Sequence, residues 1–442
     1  MNMQSTSLGW ASTIPSHWKV VPLNFVAKMG TGHTPDRGNK EYWENCTIPW
    51  VTTPDVTRRA DALDPLMDTE QRISELGMAN SAAMLHPVDT VMLSRTASIG
   101  FSVRIGRPMA TTQAFVTWQA GPELDPRYLL LTLRAMKQEW RKLAYGSTHL
   151  TIYMPDLESV RIPCPPLGEQ RRIADFLDVE TTRIDETRLA TNKQVNLLAE
   201  RFAELMRQET TIGVGPVKST GIPWMPRINR GWELRKVSHD FLTGSGTTPT
   251  SSNPIYFEGE CPWVNSADIN DGLISRAEKG VTAQALKDFS SLRIYPSGSL
   301  VIALYGQGAT KGRVGILDLD ACLNQACCAL IPVGGISAPY AYYWFRAHKQ
   351  GVITLALGAG QPNLSQELIR QLRIPAPSHQ EQRRIVARLQ DEEELVRQQS
   401  RLLKQRDALL VERRQALITA AVTGQFDVST ASGRNVTDGV TV

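Results

Sequence analysis

The chain has 442 residues, of which 42% are hydrophobic and 21% charged, enough to bury ordinary cores in two or three domains and too apolar for a disordered chain. The net charge of +4 permits nucleic acid as a partner without requiring it. Six cysteines without a Cys-x-x-Cys pair or spaced histidines argue against zinc and for reduced thiols. The start lacks a basic-then-apolar leader and no apolar run reaches ~20 residues, so the expected compartment is the cytoplasm.

Residues 1–13 read as a polar lead-in. Ile14-Pro15 opens a first domain, 14–165, of short β-rich runs broken by Gly and Pro, with one helical run beginning at Asp125. A long helix follows over 166–210, then a Gly- and Pro-containing linker over 211–221. A second domain occupies 222–377, a second long helix 378–425, and a polar tail, expected to fray, 426–442.

The second half repeats the first. Gly30-Thr31-Gly32-His33-Thr34-Pro35 is answered by Gly244-Ser245-Gly246-Thr247-Thr248-Pro249, and Pro49-Trp50-Val51 by Pro262-Trp263-Val264. Gln113 is answered by Gln325, Tyr128 by Tyr340, and Glu169-Gln170-Arg171-Arg172-Ile173 by Glu381-Gln382-Arg383-Arg384-Ile385. Ile14-Pro15 matches Ile222-Pro223 at a shorter offset, which implies a short insertion before Trp232. Landmarks that hold register over such a length indicate one internal duplication rather than a repeat array.

Leu389, Val396, Leu403, Leu410 and Leu417 recur every seven residues, and Leu177, Ile184, Leu198 and Leu205 share that phase, with the polar Thr191 between them. This is the pattern of a coiled-coil seam. Two such helices in one chain can bury each other, and antiparallel packing would give a pseudo-twofold object suited to duplex DNA. The expected class is therefore α+β: two duplicated mixed α/β domains joined by two long antiparallel coiled-coil helices.

The stretches between the shared landmarks diverge, as two modules reading different targets require. Candidate DNA-contacting side chains are His33, Arg37, Arg58, Arg59, Arg95 and Arg104 in the first domain and Tyr305, Gln307, Lys311 and Arg313 in the second, because polar and basic side chains on loops read base edges and hold phosphates. Gln113 and Gln325 could equally be buried frame residues. Asn253-Pro254-Ile255-Tyr256 lacks the second proline of an adenine-methyltransferase motif and no cofactor loop precedes it. The glycines of 306–312 do not make a P-loop but a tight turn. Catalytic and metal-binding residues are expected to be absent.

In its duplicated plan the chain resembles the specificity subunits of type I restriction–modification systems. The resemblance rests on the paired Gly-x-Gly-x-Thr-Pro turns, Ala309-Thr310-Lys311-Gly312-Arg313-Val314-Gly315 with Asn324-Gln325, Gly358-Ala359-Gly360-Gln361-Pro362-Asn363-Leu364, and the Ile-Pro and Glu-Gln-Arg-Arg-Ile lead into each long helix. It covers about residues 14–425, with looser matches at Ser94–Gly100 and Tyr145–Leu150. It implies two target-recognition domains, each reading half of a bipartite double-stranded DNA target, with the helices as ruler and as dock for two methyltransferase subunits, and endonuclease/translocase subunits beside them. S-adenosylmethionine, ATP and Mg²⁺ would then belong to those partners, with no cofactor in this chain. Competing readings are a chain with its own methyltransferase activity and a coiled-coil protein–protein adaptor that ignores DNA.

Overall fold

The computed structural model describes residues 2–146, 150–306, 310–356 and 363–428. Two compact units emerge, one of residues 1–191 with 405–442 and the other of residues 192–404. Each long helix, Leu167–Thr211 and His379–Val422, gives one half to each unit.

In the first unit a four-stranded antiparallel sheet runs in the order Ala27–Thr31, Phe115–Ala120, Val91–Ser94, Ser102–Arg104. The helix Pro126–Ala135, capped by the Asp125 carboxylate on the amides of Arg127 and Tyr128, lies across this sheet. Its apolar face meets Leu93, Trp118, Ile173, Leu177, Ile184, Leu417 and Ile418 in one core, so sheet, helix and both long-helix segments share a single hydrophobic cluster. A small sheet pairs Ile48–Val51 antiparallel with Arg72–Ile73 and parallel with Ala110–Thr111.

The second unit repeats the plan. Its larger sheet orders Phe241–Ser245, Cys327–Pro332, Leu300–Ala303, Val314–Leu317 and Leu273–Ile274, under the helix Ala338–Ala347. The strand before each long helix pairs with an early strand of its domain, Arg161–Cys164 with Lys19–Pro22 and Arg373–Ala376 with Glu233–Lys236. Gln170 and Gln382 explain the repeated Glu-Gln-Arg-Arg. Each buried amide oxygen accepts from a backbone N–H, of Asp125 (2.8 Å) or Ser337 (2.9 Å), and each amide nitrogen donates to two carbonyls, of Glu123 and Pro165 or of Gly335 and Pro377. The helix start is thereby fixed to its domain by bonds that would be costly to leave unmade.

Three expectations are corrected. The lead-in is a hairpin, Met3–Leu8 with Ala11–Pro15, and its counterpart, Val217–Ile222 with Met225–Asn229, begins in the linker and ends in the second domain. The registers coincide at a constant offset of 214: Gln4 faces Ile14 as Lys218 faces Ile228. Ile14 thus matches Ile228 and no insertion exists; Ile222-Pro223 repeats the letters of Ile14-Pro15 at the end of the other strand of the hairpin. The tail begins folded, with Phe426 packed on Phe176 at 5.6 Å between ring centroids and Val428 against the first core; residues 429–442 lie outside the described residues.

Within each unit the two helix segments run antiparallel. In the first, Arg414 meets Asp185, Arg188 meets Asp407 at 3.1 Å, and Arg406 donates to Thr191; in the second, Arg388 meets Glu209 at 2.8 Å. Thr191 is fully buried, with its hydroxyl bonded both to Arg406 and to the Thr187 carbonyl, so the polar residue of the seam ties register rather than sitting at an edge. Leu177, Leu389 and Leu417 are buried where the helices meet their domains. Leu198, Leu205, Val396, Leu403 and Leu410 are half-buried, and Ile184 nearly fully buried.

His348 is buried against Trp344 and Trp224, with its Nε2 2.9 Å from Thr211 Oγ1 at the end of the first long helix. Burial, aided by Arg207, lowers its pKa from 6.5 to about 4. The folded state therefore takes up a proton only near pH 4, whereas the unfolded chain takes it up near 6.5. Stability is complete above pH 6.5 and is lost as the pH falls to about 4, by roughly 3 kcal/mol from this residue. Denaturant titrations read by tryptophan fluorescence between pH 7 and 4.5 should show this loss, and His348→Gln should flatten it.

Candidate nucleic-acid interface

The two Gly-x-Gly-x-Thr-Pro turns are built alike. A Cβ on Gly32 would stand 2.0 Å from the Thr111 carbonyl oxygen, and one on Gly246 equally close to that of Asn324, so only glycine lets the loop lie on the sheet edge. Trp50 Nε1 donates to the His33 carbonyl (3.3 Å) and Trp263 Nε1 to that of Thr247 (3.1 Å), fixing each turn from below. Thr34 donates to the Gln113 side chain at 2.6 Å, and Thr248 to that of Gln325. These glutamines are exposed rather than buried in the frame, and the same hydroxyl–amide clasp stands at the surface of both domains.

The other candidates are placed variously. His33 and Arg37 are exposed on that first turn. The Arg37 guanidinium lies over Trp43 and Trp50, 5.0 and 5.6 Å from their centroids. Arg58 pairs with Glu70 and Arg59 with Asp64 on the loop after the short helix Thr53–Thr57. Arg95 donates to the carbonyls of Gln113 and Ile152, and Arg104 pairs with Asp89; both side chains are engaged within the domain. Tyr305 is half-buried against the second core, and Arg313 donates to Asn270 at 3.2 Å. Lys311 is half-buried beside Gly312, whose φ of +72° requires glycine in that turn. Gln307, with Gly308 and Ala309, lies outside the described residues, as do Ser147–His149 and residues 357–362, which carry part of the resemblance. Asn253 caps the amide of Ile255 as Asn39 caps that of Glu41, so the Asn-Pro-Ile-Tyr string is the second copy of a turn.

One pair of residues escaped the sequence reading. Arg134 is buried in the helix Pro126–Ala135 and donates to the carbonyls of Ala62 (2.6 Å) and Ser102 (3.1 Å). Arg414 on the second long helix holds the Asp61 carbonyl, and Arg188 on the first pairs with the Asp61 carboxylate. The divergent loop carrying Arg58 and Arg59 is thus bolted to both long helices. Burial, with Arg414 close by, lowers the Arg134 pKa to about 10. The counterpart, Arg346, donates to the Tyr342 hydroxyl (3.0 Å), which donates to the Asp271 carbonyl (2.6 Å), and pairs with Glu393 of the second long helix at 2.8 Å. Position 134/346 recurs at the helical offset of 212, which was the available signal.

Among the described residues no cluster of His, Cys, Asp and Glu could hold a metal, and no helix is long and apolar enough to cross a membrane. The fold and its surface define a duplicated recognition protein: one scaffold used twice, each copy carrying its own loops. The sequence matches the family described as the type I restriction modification DNA specificity domain over residues 15–197 and again over 229–405, and the chain belongs to that family. It is thus a specificity subunit, a recognition component rather than the catalyst of such a system.

The type I restriction enzyme MjaIX specificity subunit of Methanocaldococcus jannaschii is 28% identical over 38% of this chain and 40% of its own length. The same organism's putative MjaX specificity subunit is 24% identical over 70% of each chain. A chain from a solved structure concerned with assembly of a type I system aligns with a TM-score of 0.70 at 19% identity, covering 93% of this chain and 99% of that one. The HsdS subunit of Thermoanaerobacter tengcongensis aligns at 0.54 and 18%, covering 93% and 98%. At these identities the structural likenesses establish the fold.

Proposed function

We propose that each recognition domain binds one half of a bipartite double-stranded DNA target and that the long helices set the unread gap between the halves. The observation that carries this is the contrast between identical frame and dissimilar loops. Turn, tryptophan, threonine–glutamine clasp and helix-start glutamine repeat in both domains, while the loops they support differ in sequence: His33 and Arg37 stand where the second domain has Thr247 and Ser251. Methyltransferase subunits, two by the family resemblance, dock on the long helices, and endonuclease/translocase subunits complete the assembly. S-adenosylmethionine, ATP and Mg²⁺ are held by those partners, and the complex works in the cytoplasm.

Apolar side chains on the helices support the docking role. Leu197, Leu395 and Leu402 are exposed in the second unit, and Leu189 and Leu409 in the first. Leu197 and Leu402 line one groove with Leu198 and Leu403, a contiguous apolar patch of the kind that marks an interaction surface.

The test is to express the chain with the methyltransferase subunit of its own system and map methylated adenines across the host genome. The expected result is two short half-motifs around a fixed gap. A continuous motif, or no methylation despite a formed complex, would overturn the two-headed reading in favour of an adaptor.

A further inference from the structure

The Arg37 side chain rests on a platform that the second domain also builds and, among the described residues, leaves without a cation. In the first domain Trp43 and Trp50 meet edge to face, 5.4 Å apart at 65°, and the Arg37 guanidinium carbon lies over both rings, 5.0 and 5.6 Å from their centroids. Trp50 is 1% exposed. The loop beneath Arg37 is tied by Trp43 Nε1 to the Asp36 carbonyl (3.1 Å), by Trp50 Nε1 to that of His33, and by the Asp36 carboxylate to the Gly38 amide (2.8 Å). In the second domain Phe257 and Trp263 repeat the ring pair at 5.8 Å and 66°. Counting at the offset of 214 that aligns Asn39 with Asn253 and Tyr42 with Tyr256, Arg37 is answered by the exposed Ser251.

A guanidinium held against aromatic rings keeps the planar fork of its N–H groups for a ligand. Its two parallel donors match O6 and N7 of guanine in the major groove, and the aromatic support removes rotamer freedom before binding. The same fork can also pair with a phosphate, but that contact carries no base preference, whereas a fork on guanine does. We propose that Arg37 reads a guanine in the half-site bound by the first domain, and that Ser251 withholds this contact from the second. The proposal rests on the reading of each domain as the reader of one half-site.

The experiment maps methylation by the complex carrying the wild-type chain, Arg37→Ala or Arg37→Lys. The lysine variant keeps the charge and guards against a misfolded alanine variant. Exchange of residues 14–165 for those of another family member identifies which half-motif belongs to the first domain. The expected result is a G·C pair in that half-motif whose preference falls roughly tenfold or more in both variants, with the other half unchanged. An unaltered motif in the lysine variant overturns the proposal, whether methylation stays full or drops evenly, the latter being a phosphate contact. A first half-motif without a G·C pair also overturns it. A wild-type chain that yields no split motif defeats the half-site reading itself, which is a different and recognisable failure.

Discussion

Replacing Arg346 by leucine should destabilise the second unit by about 3–5 kcal/mol, because removing one partner strands a buried charge. Glu393 is 8% exposed and accepts from Arg346, from Arg397 at 3.0 Å and from the Tyr343 hydroxyl at 2.9 Å. Loss of Arg346 leaves that carboxylate with a single, largely exposed cation and frees the Tyr342 hydroxyl that holds the Asp271 carbonyl. The guanidinium also covers Phe202, Tyr342 and Tyr343, so packing is lost along with charge. Equilibrium denaturation should show the second unit unfolding first. Arg134→Leu should behave differently. Arg134 sits beside buried Arg414, makes bonds only to carbonyls, and has unpartnered Nε and Nη1 atoms. Its removal relieves like-charge repulsion while releasing the Ala62 carbonyl. The unfolding midpoint should move less than for Arg346→Leu, and the effect should appear as relaxed selectivity in one half-motif.

Leu402→Glu should abolish methylation without weakening the fold. Leu402 is 63% exposed, beside Leu197, so a carboxylate there costs the isolated chain little. In a docked interface the same carboxylate would be desolvated without a partner, at a cost of several kcal/mol, enough to lower affinity by three orders of magnitude or more. Co-purification with the methyltransferase subunit should fail while the melting temperature of the chain alone stays within a degree or two. Retention of the complex would move the docking site off this face.

Much of the plan was written in the residues. A duplication is visible because frame positions demand particular side chains: glycine where a Cβ would strike the Thr111 or Asn324 carbonyl, tryptophan where an indole must reach a turn, glutamine where one amide must answer three backbone groups. The long helices declare themselves by period, since a seam must recur every seven residues whatever it packs against. Basic side chains on divergent loops could be nominated, but not ranked, because sequence does not say which arginines fold back. Arg95 and Arg104 turn inward to carbonyls and to Asp89, whereas Arg37 lies over two rings.

Local sequence therefore determined the elements, the duplication and the family, because those depend on residue type and spacing along the chain. Tertiary structure alone decided the hairpin in the lead-in, the offset of 214 across the domain starts, the exposure of Gln113 and Gln325, and the fastening of the Asp61 loop to the long helices and of the Asp271 loop to the helix Ala338–Ala347. The hairpin is local but its strands carry little apolar alternation, whereas the clasps and fastenings depend on which groups come within hydrogen-bonding distance of residues far away in the chain, and a carbonyl oxygen carries no mark in the sequence of the side chain that will reach it.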